Sequence, residues 1–377
     1  MTSVERPSER DWFKIDNVNE LDSPALVFYP NRIADNIKLL LNSIDAVNRL
    51  RPHVKTHKSA ELTTLMINAG ITKFKCATIA EAEMLGRCGA ADVLLAYQLV
   101  GPKINRYLSL VSAFPSTKFS SLVDNAYSLN ELSQAAKHAG LEINVFLDLN
   151  LGMNRTGILP NENALAIYLE MSVKEGIKAI GLHGYDGHIH DSSLAERKAR
   201  WQLAWNSINN LKDQIIANGL PAPIIVAGGS PTYPFYAELT DVECSPGTFV
   251  LWDKGYHDAC AEQKYAVAAV LITRVISLPD QTKVSLDLGH KSVAAENVLA
   301  KRVYFLNAPE AKIIGQSEEH LVLEMPKGHG LKIGDVLYGI PIHICPTVAL
   351  YDFAATVEEH KVDGAWEIIS RKRKINI

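Results

Sequence analysis

From Pro24 to Ala227, short apolar runs alternate with stretches whose apolar residues recur at helical spacing. The runs Ala25–Tyr29, Leu50–Lys55, Phe74–Ala77, Asp92–Tyr97, Phe119–Val123, Ile143–Leu149, Ala179–Tyr185 and Ile224–Ala227 predict eight strands. Helical patterns cover Ile33–Ile44, Ala60–Ala69 (stopped by Gly70), Ile79–Gly86, Leu129–His138, Asn163–Lys174 and a long stretch near Ala195–Ala217. Strands alternating with helices at this spacing predict parallel β-α-β units, and eight of them predict a closed (β/α)8 TIM-like barrel over residues 23–250.

Beyond Val250 the period changes. Ala266–Ser277, Lys283–Leu288, Ala311–Gly315, Leu321–Glu324, Val336–Ile344 and Trp366–Arg371 read as strands with scarcely a helix between them. This predicts a smaller C-terminal β domain over residues 251–377. Residues 1–22 are polar, with Trp12, Phe13 and Ile15 as the apolar cluster.

A chain of 377 residues with 47% hydrophobic content suits a barrel plus an appendage. A net charge of −4 gives no reason to expect nucleic acid or an anionic membrane as a partner. The short basic run Arg371–Lys374 reads as a solvated tail. Five scattered cysteines do not suggest a disulfide framework and suit a reducing compartment. No secretory h-region is visible in Met1–Asp16, and no apolar run approaches a membrane span. A cytoplasmic location is the expectation.

The densest chemistry lies in Arg51-Pro52-His53-Val54-Lys55-Thr56-His57-Lys58, where a predicted strand meets a predicted helix. Neighbouring positive charge disfavours protonation of a lysine, and a neutral amine is what a Schiff base requires. Read alone, such a run is more often a solvated basic loop. This stretch, however, resembles the pyridoxal phosphate lysine motif of the D-threonine aldolase and D-serine dehydratase family, whose barrel is similar to that of bacterial alanine racemases. The resemblance implies that Lys55 is the Schiff-base lysine and Lys58 its neighbour, and places His53 beside the cofactor. It also implies that residues 1–22 join the β domain.

Asp148–Gly157 follows the sixth predicted strand and resembles the family's arginine loop, which implies Arg155 near the cofactor's phenolic oxygen or the substrate carboxylate. Gly181–His190 ends the seventh, with three histidines, a tyrosine and an aspartate too polar for a barrel interior without a purpose. Here Tyr185 is a candidate cofactor contact and His188 or His190 a candidate acid/base or metal ligand, with His183 the structural member. Gly228, Gly229, Ser230 and Thr232 follow the eighth strand, where barrels often hold a phosphate on backbone N–H groups. In the β domain His343 and Cys345 alternate, so both can face one side of a strand; imidazole plus thiolate suits zinc. The pair resembles the metal-binding His-x-Cys of D-serine dehydratases, whereas the aldolase branch tends to carry a carboxylate in the second position.

These features together predict a pyridoxal phosphate- and divalent-metal-dependent lyase on a D-3-hydroxy amino acid, with zinc favoured and manganese the alternative. Elimination to ammonia and a keto acid, as in D-serine dehydratases, is the favoured outcome. Retro-aldol cleavage to glycine and an aldehyde, an amino-acid racemase and a non-catalytic pyridoxal phosphate carrier are the rivals. A homodimer is expected from related folds.

Overall fold

The computed structural model describes residues 11–377. Residues 1–10, part of the charged stretch read as lacking an h-region, lie outside them. The chain divides into two compact units. One comprises residues 37–249, 259–262 and 369–377, and the other the described residues up to Asn36 with 250–258 and 263–368.

The first apolar run forms strand β1 (Ala25–Phe28), but not in the barrel. Seven parallel strands make the curled sheet of the larger unit: β2 (Lys73–Cys76), β3 (Asp92–Gln98), β4 (Lys118–Val123), β5 (Ile143–Asn150), β6 (Ile177–Tyr185), β7 (Ile224–Ala227) and β8 (Val242–Cys244). Each pairs with the next in sequence order. The predicted strand Leu50–Lys55 instead joins the sheet's two edges by single bridges, Leu50 to Cys244 and His53 to Lys75. It then winds into a tight turn over Val54–Thr56. Pro52 explains the weakness of this element: proline has no N–H for the ladder, so only the flanking N–H groups of Arg51 and His53 bond, to Cys244 and Pro246 carbonyls. The expected eight-strand count is therefore corrected: β1 belongs elsewhere, and β8, too short to show a period, was not foreseen. Leu94 of β3, Leu122 of β4, Phe146 of β5 and Val226 of β7 are buried together in its core.

In the other unit β1 is flanked by β9 (Ala269–Ser277), antiparallel, and β15 (Phe353–Glu358), parallel. The sheet continues through β10 (Lys283–Leu286), β13 (Leu321–Glu324) and β12 (Lys312–Gln316) on one side and β16 (Lys361–Glu367) on the other; β11 (Val303–Phe305) pairs with β14 (Val336–Pro341), which also pairs with β9. Trp12 stacks edge-on against Tyr29, and the Tyr29 hydroxyl donates to the Phe13 carbonyl at 2.6 Å. The predicted strand at Trp366–Arg371 is the end of β16 followed by a 3-10 turn at Ile369–Arg371.

The side chains of Lys372, Arg373 and Lys374 are exposed, as a solvated run requires, while the flanking residues are held. Ser370 donates to the Lys58 carbonyl through both its N–H (3.1 Å) and its hydroxyl (3.0 Å), and the N–H groups of Asn376 and Ile377 donate to the buried Glu83 carboxylate. Among the described residues no helix is long and apolar enough to cross a membrane.

Candidate active site

A cavity of about 640 Å3 opens among the C-terminal ends of the barrel strands. His53, Lys55, Lys75, Gln98, Asp124, Arg155, His183 and Tyr185 line it. The bridge between His53 and Lys75 aligns the lysine-bearing segment with β2, and the turn over Val54–Thr56 follows directly. The Lys55 N–H donates to His53 Nδ1 at 3.3 Å, so the histidine caps the turn that carries the lysine. Burial, then the neighbouring Lys55, holds the His53 imidazole well below its usual range, leaving it neutral.

Tyr185 stands at the end of β6 with three cations around its ring: Arg155 at 4.9 Å from the centroid, Lys55 at 5.2 Å and Lys75 at 5.7 Å. The ring's negative face makes it a platform for that charge. The loop carrying Arg155 is fixed from beneath. Gly157 N–H donates to Asp124 (3.0 Å), and Gln98 Nε2 donates to both Asp124 (3.0 Å) and Asp148 (2.7 Å). Asp148 in turn lies 2.7 Å from His183 Nδ1. Burial works against ionisation of Asp148, but the bond to His183 prevails and holds its carboxyl below the usual range.

Of the remaining candidates, the structure places Gly228 at a φ of +82°, where a Cβ would come 2.7 Å from the Tyr236 ring. A Cβ on Gly229 would come 3.3 Å from the Tyr185 ring. The Ser230 hydroxyl accepts from the N–H groups of Gly247 (3.3 Å) and Thr248 (3.2 Å). An oxygen thus already sits where two backbone donors converge, the donor set an anion would use. Thr232 turns the other way, its hydroxyl accepting from Gly229 N–H and donating to the buried Asp186 at 2.9 Å. His190 is exposed and His188 half-buried, its Nε2 lying over Gly152; neither lines the cavity. The histidine that does, beside His53, is His183.

Lys75, Gln98, Asp124 and Asp148 had no role assigned from the sequence. The signal for Lys75 was available: two lysines two apart in so short a strand face the same way, and in a barrel strand that direction can be inward.

In the smaller unit β14 ends at Pro341, and His343 caps a five-residue helix, Ile344–Val348. The expected extended strand through Ile344 is thereby corrected: Ile342 N–H still bonds the Arg302 carbonyl, but the chain then turns into the helix, where Pro346 has no N–H to offer a ladder. The two side chains nonetheless meet, since the Cys345 thiol lies within hydrogen-bond reach of the imidazole. Glu296 holds His343 Nδ1 at 2.7 Å, and buried Asp253 accepts from Ile344 N–H at 3.0 Å. A carboxylate on one ring nitrogen is how metal-ligating histidines are oriented. Among the described residues no three His, Cys, Asp or Glu side chains form a ligand set.

Residues 30–252 match the model of the alanine racemase N-terminal domain. The chain belongs to that family. Residues 268–357 match a putative serine dehydratase domain. The chain is 26% identical to D-threonine aldolase of an Arthrobacter species over 362 residues, 94% of each chain. It is also 26% identical to 3-hydroxy-D-aspartate aldolase of Paracoccus denitrificans (94% of this chain, 93% of that one) and 24% identical to D-threo-3-hydroxyaspartate dehydratase of a Delftia species (89% and 94%). The crystal structure of D-threonine aldolase from Filomicrobium marinum superposes with a TM-score of 0.86 at 24% identity, covering 93% of this chain and 96% of that one. The resemblance read from the lysine motif, and the alanine-racemase-like barrel with a strand-rich C-terminal domain, are borne out.

Proposed function

We propose that this chain is a pyridoxal phosphate-dependent lyase of D-configured 3-hydroxy amino acids, assisted by a divalent metal. The observation that carries the reading is the cavity itself: an amine, an arginine and an aromatic ring converge beside a glycine turn where the Ser230 hydroxyl already accepts from two backbone N–H groups. Lys55 would hold the cofactor's aldehyde carbon, Arg155 and Tyr185 would flank its ring, and the Gly228–Ser230 turn with Gly247 and Thr248 would face its phosphate. When bound, the cofactor supplies the electron sink for bond cleavage at the α-carbon. The chain's residues orient the substrate, exclude water and move protons.

His343 and Cys345 suit a soft-to-borderline ion such as zinc, with open positions for a substrate oxygen. A thiolate gives magnesium or calcium little. Cys345 favours elimination, to ammonia and a keto acid, over retro-aldol cleavage. The aldolase reading stays beside it because two of the relatives named above are aldolases. D-Serine and D-threo-3-hydroxyaspartate are the substrates to test. Ammonia with a keto acid supports elimination, and glycine with an aldehyde assigns the aldolase. A chelator should abolish turnover and leave cofactor attachment intact, zinc should restore it, and Cys345→Ala should match the chelated enzyme. Full turnover after chelation removes the metal from this reading.

The phosphate assignment has its own test. Gly229→Val places a branched side chain against Tyr185 and should weaken cofactor affinity about tenfold or more, a cost of about 1.4 kcal/mol. Equilibrium titration of the cofactor absorbance measures it, and an unchanged affinity in a folded variant would move the phosphate elsewhere.

A further inference from the structure

Lys75 is exposed over only 1% of its surface in β2 and makes no ion pair among the described residues, although its side chain opens on the cavity. An unpaired ammonium in such a place is costly, so the fold keeps this amine for a purpose other than stability. Its hydrogen-bond partner is His183 Nε2, 3.5 Å away. The other imidazole nitrogen faces the Asp148 carboxylate, which requires the proton on Nδ1 and leaves the Nε2 lone pair toward Lys75. Amine, imidazole and carboxylate thus form a line leading from the cavity into the wall. Lys55 and Lys75 look onto the same Tyr185 ring from neighbouring segments of the barrel.

We propose that Lys75 is a second proton-transfer residue of this cavity, serving the substrate's β-oxygen while Lys55 serves the α-carbon; this rests on the lyase reading. In elimination, Lys55 takes the α-proton and the freed electron pair forms the Cα–Cβ double bond. The Cβ–O pair leaves with the oxygen, which takes a proton from the Lys75 ammonium and departs as water. Lys75 is left neutral and regains a proton equivalent to the one Lys55 removed. Elements of one water are lost and no other reactant is needed. His183, backed by Asp148, fixes the amine and can share its proton.

The surroundings suit the task. Burial first, then repulsion from Lys55, brings the Lys75 amine down to about 7, with Asp186 and Asp148 opposing and Arg51 assisting. Both protonation states are therefore accessible near neutral pH, where proton transfer is most effective.

The first test reads the amine without turnover. Trace acetylation of the native protein across pH, quantified by peptide mass spectrometry, should give Lys75 a midpoint in the neutral range and His183→Gln a shifted one. A midpoint at the ordinary lysine value overturns the proposal. The second test reads catalysis. Lys75→Ala should keep borohydride-trappable cofactor on Lys55, lose turnover about 100-fold with KM changed only about threefold, and lose the pH limb near neutrality. Ethylamine should restore part of the rate, since a small amine can enter the space vacated. Lys75→Met, closer in volume, checks that folding is not the cause. Turnover near the native level in either variant, or a loss that amines do not restore with the pH limb intact, overturns the proposal. A native protein with a neutral-range midpoint but no lyase turnover keeps the proton-carrying amine and removes the lyase reading with its β-oxygen role.

Discussion

Lys55→Ala should lower lyase turnover by about 10^4-fold or more, because on the proposed function one substitution removes both the anchoring amine and the proton acceptor at the α-carbon. Native protein incubated with pyridoxal phosphate should turn yellow, and borohydride should fix the cofactor to Lys55. The variant should take up the cofactor reversibly, through the cradle at Gly229 and Ser230, and lose it on dialysis. The cap from His53 and the Ser370 bonds to the Lys58 carbonyl do not depend on the lysine side chain, so the turn should persist. Peptide mapping of the reduced protein decides the assignment. Label on Lys58 would contradict it, and Lys58 is already committed, its ammonium paired with buried Glu81.

The largest stability effect is expected at Arg51. This residue is 1% exposed and holds Glu243 from β8 and Asp92 from β3, each at 2.7 Å. It joins the first and last parts of the barrel where backbone pairing is thinnest. Burial disfavours its charge, but Glu243 and Asp92 more than compensate and hold the guanidinium firmly protonated. Arg51→Met leaves two carboxylates facing each other in the wall, a loss of about 3 kcal/mol, toward the low end for a broken buried pair. The lower figure is appropriate because Lys73 still reaches Glu243 and Lys118 approaches Asp92. Urea unfolding measures this. Adding Asp92→Asn and Glu243→Gln should recover part of the loss, since the residual cost lies in unpaired charge. A variant as stable as the native protein would show that the bridged backbone alone closes the barrel.

The barrel was legible because its strands are buried on both faces and its helices on one, so period and length separate them. Element ends at Ile224–Ala227 and near Leu194–Ala217 follow the pattern closely. Strand partners were less legible. Ala25–Phe28 reads as any buried strand, and nothing local tells which sheet it enters. Val242–Cys244 has too few residues for a period, and Pro52 disguises an edge-closing segment. Within the site, Lys55, Arg155 and Tyr185 were visible through long motifs. Gln98 was not, and the spacing of Lys73 and Lys75 gave Lys75 a direction but no partner, because the meaning of both comes from neighbours brought together across strands. His183 was read as structural, whereas it both supports Asp148 and faces the cavity.

Strand β1 sits between β9 and β15, both of which are translated only after the whole barrel sequence. During synthesis this early apolar strand has no partner of its own sheet, and pairing at such sequence separation is slow. The nascent chain therefore carries an unprotected β edge for most of its time on the ribosome, which makes yield sensitive to temperature and to chaperone supply. A circular permutant that begins near the end of the barrel and delivers β9 and β15 before β1 would shorten that exposure.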